Sequence, residues 1–254
     1  MSAINMLLAG ESWVSTATHV KGFNHFSASE YQTGIGGLKR ALEGSSINLV
    51  HLPGHLVPTE FPSTAEELAA YDVIVLSDIG ADSLLLHPDT FLRGQRTPNR
   101  LKLIAERIEA GGGFLMVGGY LSFQGINGSA RYRGTPIERI LPVTMLAVDD
   151  RVEVPEGFEP VVAGADGHPV LAGLEGPWPY LLGFNEVAAK SDASVLLRTG
   201  PGDALPLLVV GSHGAGRTMA WTSDIGPHWL PKSFVAWPGY GHFWRQAFSW
   251  LAGR

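Results

Sequence analysis

Short, dense apolar runs recur along the first half of the chain, with amphipathic stretches between them. Residues 4–9 (Ile-Asn-Met-Leu-Leu-Ala) end at Gly10 and predict a central strand. Residues 47–52 predict a second strand and residues 71–78 a third, whose Val-Ile-Val-Leu run implies burial on both faces. Between these runs, Ile35, Leu38 and Leu42 fall at helical spacing within residues 34–43. Residues 63–70 open with a capping signature, Ser63 or Thr64 followed by Glu66 and Glu67, and predict another helix. Residues 99–110 predict an amphipathic helix with Leu101, Ile104 and Ile108 on one face, and Gly111-Gly112-Gly113 ends it. A fourth strand then runs into the corner Gly118-Gly119-Tyr120-Leu121-Ser122-Phe123-Gln124-Gly125. This corner reads as a tight strand-to-helix turn of the kind that presents a nucleophile, with Tyr120 at its apex.

After about residue 140 the rhythm changes. Short segments near 143–146, 152–154, 186–187, 195–197 and 207–210 are separated by Gly and Pro and predict an antiparallel extension. Residues 217–224 return to a sheet-like run. Residues 240–251 close the chain as an aromatic helix with Phe243, Trp244, Ala247, Phe248 and Leu251 at helical spacing. The fold class is therefore α/β, a three-layer sandwich around a mostly parallel sheet with extra strands in the second half. We expect one domain: a parallel-sheet core over about 1–140 and 215–254, and a β-rich extension over about 141–214.

Composition narrows the function classes. With 254 residues, 45% hydrophobic and 17% charged, the chain suits a well-packed globule. A net charge of −6 and the lack of any basic run argue against nucleic acid as a partner. No apolar run approaches the roughly 20 residues of a membrane span, and the N-terminus lacks the basic flank of a signal peptide. A cytoplasmic address and no membrane contact are expected. The absence of cysteine excludes disulfides, thiolate metal sites and a Cys nucleophile. His51 and His55 are four apart, but Pro53-Gly54 between them breaks any helix, so neither metal nor cofactor is expected.

In open parallel sheets, ligands bind beyond the carboxyl ends of the strands. That rule gathers Glu11, Ser12 and Trp13 after the first strand, His55 after the second, Asp78 after the third, and Gly119 and Tyr120 after the fourth. Glu11 and Asp78 are two carboxylates able to divide acid and base roles, although Asp78 also suits a helix cap. Tyr120 reads as a hydrogen-bonding group, an acid–base group, or an aromatic plug. Ser122 is a nucleophile only if a base reaches it, and otherwise caps the helix after the corner. Asp224 and His228 end a later strand near the same rim, where the carboxylate would orient the imidazole. Arg131 suits a ligand carboxylate or phosphate, or an ion pair with a nearby acid. The catalytic candidates are thus Tyr120, His228 and Asp224. The ligand-binding candidates are Glu11, Trp13, Asp78, Gly119, Ser122 and Arg131, and the expected partner is a small molecule. Trp178, Trp229, Trp237 and Tyr240 sit in Pro- and Gly-rich stretches and are expected as exposed aromatics of a carbohydrate platform or a subunit interface, which favours a homo-oligomer.

These residues also carry a family resemblance. Gly10-Glu11-Ser12-Trp13, Ser77-Asp78-Ile79-Gly80, the 118–125 corner, Ala130-Arg131-Tyr132-Arg133-Gly134-Thr135-Pro136 and Trp221-Thr222-Ser223-Asp224-Ile225-Gly226-Pro227-His228-Trp229 are similar to the class I glutamine amidotransferase-like fold, which is flavodoxin-like. More narrowly, the chain resembles the bacterial family labelled putative glutamine amidotransferase. The resemblance spans essentially the whole chain. True amidotransferases of the class carry Gly-x-Cys-x-Gly and a later His-x-Glu. Here Tyr120 stands in the Cys position, Ser122 replaces the final Gly, and Leu230 stands where the Glu would follow His228. The resemblance thus implies the fold without glutaminase activity. A further similarity, to trehalose-utilisation-like proteins that also lack the Cys, points by analogy to a sugar-like or other polar metabolite. Three functions remain open: metabolite binding in the corner pocket, a hydrolase or isomerase acting on a sugar-like or carboxylated metabolite, and a noncatalytic oligomeric protein.

Overall fold

The computed structural model describes residues 3–164, 167–174 and 176–254. Its central sheet begins with β1 (Ile4–Gly10) and is followed at once by a feature the hydrophobic pattern did not announce. This is a two-stranded arm of β2 (Ser12–Lys21) and β3 (Asn24–Thr33), joined by the two-residue turn Gly22-Phe23. Gly22 takes φ 63°, as the first position of a tight hairpin turn of this kind favours glycine. Residues 13–31 of the arm are exposed throughout. Then come α1 (Gly36–Leu42), β4 (Ile47–Leu52), α2 (Val57–Glu60), α3 (Ala65–Ala69), β5 (Val73–Ser77), α4 (Ala81–Leu85), α5 (Pro88–Arg93), α6 (Arg100–Glu109) and β6 (Gly113–Val117). The second half adds α7 (Pro136–Ile140), β7 (Val143–Met145), β8 (Arg151–Phe158), β9 (Val161–Val162), β10 (Leu181–Asn185), β11 (Val187–Ala189), β12 (Ser194–Arg198), β13 (Pro206–His213), β14 (Gly216–Trp221), α8 (Lys232–Ala236) and α9 (Pro238–Leu251).

The main sheet has the order β4-β1-β5-β6-β14-β13-β12-β9. Its first five strands are parallel, and β13, β12 and β9 continue it antiparallel. The parallel part follows the flavodoxin-like sequence of strands, with its reversal of winding between β1 and β5. Registered rows explain why both faces are buried. Leu8, Val75, Leu115 and Met219 align across four strands and face α1 and α9. Leu7, Ile74 and Phe114 align on the opposite face, toward α3 and α6. Each such side chain contributes about 2 kcal/mol by leaving water, and the period of two lets one strand serve both layers.

The same register aligns the strand ends. Gly10, Ser77, Val117 and Trp221 form the last row, so the residues after them emerge on one rim. The predicted strands and the α6 and α9 helices stand where the pattern placed them. Two expectations are corrected. The corner after β6 does not enter a helix: residues 118–125 are irregular and lead into the 3₁₀ turn Ile126–Gly128. Trp178, Trp229 and Tyr240 are not exposed aromatics but buried, at 4%, 1% and 2% exposure, because α8 and α9 fold the Pro- and Gly-rich segment onto the sheet.

Candidate functional site

Two rim residues hold positive φ without being glycine: Glu11 (49°) and Asp78 (45°). Such geometry is uncommon for residues with a Cβ, and here it follows directly on β1 and β5, at the winding reversal. The Glu11 N–H donates to the Ser77 carbonyl at 2.8 Å, and its own carbonyl accepts the Gly34 N–H at 3.1 Å. The carboxylate is therefore folded back under the end of the arm, where Ser77 Oγ donates to Oε2 at 2.6 Å. A Cβ on Gly34 would lie 2.0 Å from Glu11 Oε1, so glycine is required for the acid to fit. Burial, reinforced by the charge of Asp224 and opposed by the Ser77 hydrogen bond, pushes the Glu11 carboxyl up to about 8.

Asp78 faces the corner. Its Oδ1 accepts the Leu121 N–H at 2.7 Å, and the Tyr120 N–H is a further donor to its carboxylate. Burial still raises its pKa. Gly119, at φ 142°, leaves only 2.9 Å between a built Cβ and Asp78 Oδ1, which explains glycine there. Ser122 Oγ accepts the Asp78 N–H at 3.1 Å and is buried. It holds the Asp78 backbone rather than capping a helix. Behind the corner, Asn185 bonds both the N–H and the carbonyl of Gly119, at 2.9 and 3.2 Å. Asp150 accepts the Gln124 and Gly125 N–H groups at 2.8 Å each, and Asn185 Nδ2 as well. These buried acceptors replace the helix that the glycine pattern suggested.

Across the rim, Asp224 Oδ2 accepts the Trp229 N–H at 2.7 Å and lies 3.0 Å from His228 Nδ1. That contact raises the His228 pKa and leaves Nε2 as the outward nitrogen. Tyr120 meets the His228 ring edge-on at 4.5 Å. Its hydroxyl donates to Glu153 Oε1 at 2.9 Å, while Glu153 Oε2 accepts Trp229 Nε1 at 2.9 Å. The Arg151 guanidinium lies 4.6 Å from the Tyr120 ring centre. Burial and Glu153 raise the Tyr120 pKa, so the phenol is a donor and not a base.

Glu11, Trp13, Asp78, Tyr120, Asp224, Pro227 and His228 line one cavity of about 200 Å³. The structure thus brings six of the nine sequence candidates together around one space. Gly119 and Ser122 stand behind it. Arg131 is absent from its lining and pairs with Asp82 at 3.1 Å beside a separate surface depression. Ser77, Asp150, Glu153 and Asn185 escaped the sequence reading. Ser77 ends β5, Asp150 precedes β8, Glu153 lies in β8 and Asn185 ends β10, and no local motif ties the β8–β10 pair to the rim. Among the described residues, no group of three or more His, Asp or Glu is placed to hold a metal ion.

Sheet order and rim together define a class I glutamine amidotransferase-like protein. The chain belongs to the family described as Putative glutamine amidotransferase, whose model matches residues 5–253. It is similar to Cytoplasmic Protein STM3548 from Salmonella typhimurium, with 40% identity, TM-score 0.91, and coverage of 97% of this chain and 98% of that one. It is equally similar to Cytoplasmic Protein STM1381 from Salmonella typhimurium LT2, with 41% identity, TM-score 0.92, and coverage of 98% and 99%. A ThuA-like protein from Bacteroides uniformis shares the fold at 13% identity and TM-score 0.58, over 98% of this chain and 92% of that one. No curated protein matches the chain. No described helix is long and apolar enough to cross a membrane.

Proposed function

We propose that the rim cavity binds a small polar metabolite and transfers protons on it, without glutaminase activity. One observation carries this reading: Glu11, Asp78 and the Asp224–His228 pair converge on a single small cavity. Glutamine hydrolysis through a thioester needs a thiolate, and the chain has no cysteine. Acyl transfer through another nucleophile needs free N–H donors aimed at the developing oxyanion. The Tyr120 and Leu121 donors are directed at Asp78 instead.

Acid–base chemistry needs neither. Glu11 keeps its proton at neutral pH, and His228 is oriented by Asp224. His228 Nε2 takes a proton from one atom of the substrate, and Glu11 gives a proton to another. The substrate keeps its composition, so the net change is an isomerisation. Imidazolium and carboxylate then reset by exchange with water. Tyr120 shapes the wall and fixes the His228 ring. A sugar-like or carboxylated metabolite suits such a cavity, the sugar-like option resting on fold analogy alone. A cytoplasmic address agrees with the two Salmonella relatives described as cytoplasmic proteins.

The test is proton exchange. Purified protein is incubated in D₂O with a panel of sugars, sugar acids and hydroxy acids, and deuterium incorporation is followed by NMR. Wild type should exchange a substrate proton, and His228→Ala should slow this about 100-fold. No exchange across the panel, full activity in His228→Ala, or ammonia release from glutamine would each remove the reading. The second reading, a noncatalytic oligomer, is favoured by the exposed arm, since a lone two-stranded ribbon is marginal in water. A monomeric sedimentation coefficient would dispose of it.

A further inference from the structure

A larger cavity adjoins the acid–base cavity. It has a volume of about 1010 Å³ and lies between the base of the arm, α1, and the α8–α9 segment. Trp13 and Pro227 line both spaces, so the two adjoin along these side chains. Trp13 Nε1 donates to Gln32 Oε1 at 2.8 Å across the paired strands of the arm. Its apolar lining includes Ala41, Val235, Ala236 and Tyr240, whose hydroxyl donates to the Ile225 carbonyl at 2.8 Å. Gly37 allows α1 to close against α8, since a Cβ there would lie 2.7 Å from Val235 Cγ1.

Two charged side chains line this chamber, Arg40 and Lys232, and both are cations. No carboxylate lines it, although the chain is acidic overall at −6. Neither cation makes an ion pair among the described residues. Glu11 lies behind the lining residue Gly34, whose built Cβ would stand 2.0 Å from Oε1, and holds its proton at neutral pH; Glu30 of the arm accepts Gln32 Nε2 at 3.4 Å. An apolar chamber with two unpaired cations and no acid complements an anion attached to an apolar body.

We propose that this chamber is the specificity half of the site. It takes the apolar body of a substrate whose terminal carboxylate or phosphate lies between Arg40 and Lys232, while the reacting polar end enters the cavity of Glu11 and His228. The assignment of the reacting end rests on the acid–base reading above; the anion chamber stands on its own lining.

The test uses a matched set of probes in calorimetric titrations: 5-phenylpentanoate, 5-phenylpentyl phosphate and the neutral 5-phenylpentanol. Wild type should bind at least one anion 10-fold or more tightly than the alcohol, and whichever anion is tighter names the terminal group. Arg40→Gln/Lys232→Gln should erase that preference while leaving alcohol binding unchanged. Both side chains are exposed, so folding should survive, and an unshifted melting curve checks this. Ala236→Trp should weaken all three probes by filling the chamber. His228→Ala should leave anion binding within twofold. The proposal is overturned if anions and alcohol bind alike, if no probe binds, or if the double variant keeps the anion preference. Anion binding without proton exchange on any metabolite would sink the acid–base reading alone. Exchange without anion preference would sink the chamber alone.

Discussion

The loops after β6 and after β14 meet across one cavity, yet they are built in opposite senses. In residues 118–125 the polar backbone is turned inward. Gly118 donates to the Trp221 carbonyl, Gly119 to Asn185, Leu121 to Asp78, and Gln124 and Gly125 to Asp150. From this loop the cavity lining takes the Tyr120 side chain, whose hydroxyl is held by Glu153. In the loop after β14 the backbone is fixed by Trp229 N–H on Asp224, while the His228 ring stands half exposed toward the cavity. The corner that looks most like a reaction centre in sequence is thus the rigid wall. The titratable chemistry sits on Glu11, Asp78 and His228. A tight turn and a reactive turn share glycine patterns, and what distinguishes them is where the N–H groups point.

Asp150→Ala probes the wall and should have the largest effect. It strands three donors, two of them buried backbone N–H groups, at a cost of about 3–4 kcal/mol. The expected result is a melting temperature lower by roughly 10 °C with collapse of the cavity. An unchanged melting temperature would mean the corner does not depend on this acid.

Glu11→Gln probes the acidic side and should act in the opposite direction on stability. The folded-state pKa of about 8 lies above the ordinary value of 4.5. Between these values the folded chain binds the extra proton, so stability falls as pH rises through that window. Gln carries no such charge. It should therefore raise stability at pH 9, change it little at pH 4, and abolish proton exchange. In wild type, exchange should rise as His228 loses its proton above its ordinary pKa of 6.5 and fall again near 8 as Glu11 ionises. A profile flat through pH 8 would remove Glu11 as the acid.

Tyr120→Phe should be mildest. It deletes one hydrogen bond to Glu153, which retains Trp229 Nε1, and costs about 1 kcal/mol. Exchange should fall less than fivefold. A loss comparable to that of His228→Ala would return Tyr120 from wall to reacting group.

Much of the fold was legible along the chain. The apolar runs of β1, β5 and β6 have too few polar positions to face water on either side, so a covered parallel sheet follows from burial alone. The rim rule then placed Glu11, Trp13, Asp78, Tyr120, Asp224 and His228 on one side of that sheet. The arm was missed because its apolar residues, Trp13, Val14, Val20, Phe26 and Tyr31, are scattered among polar and small ones and keep no regular alternation of the kind that marks a half-buried strand. Its Lys21-Gly22-Phe23-Asn24 turn was the available signal. Arg131 was drawn into the site by its chemistry, but α4 places Asp82 within reach first.

By itself the sequence determined the covered sheet, the missing thiol and the rim, since each depends on local period or on residue identity. The tertiary structure alone decided which donors were already satisfied, which acids were buried deeply enough to hold a proton, and that two cations share an apolar chamber with no acid among its walls. Those are properties of distances between residues far apart in the chain. Desolvation and hydrogen bonding respond to neighbours in space, and the order of letters does not record them.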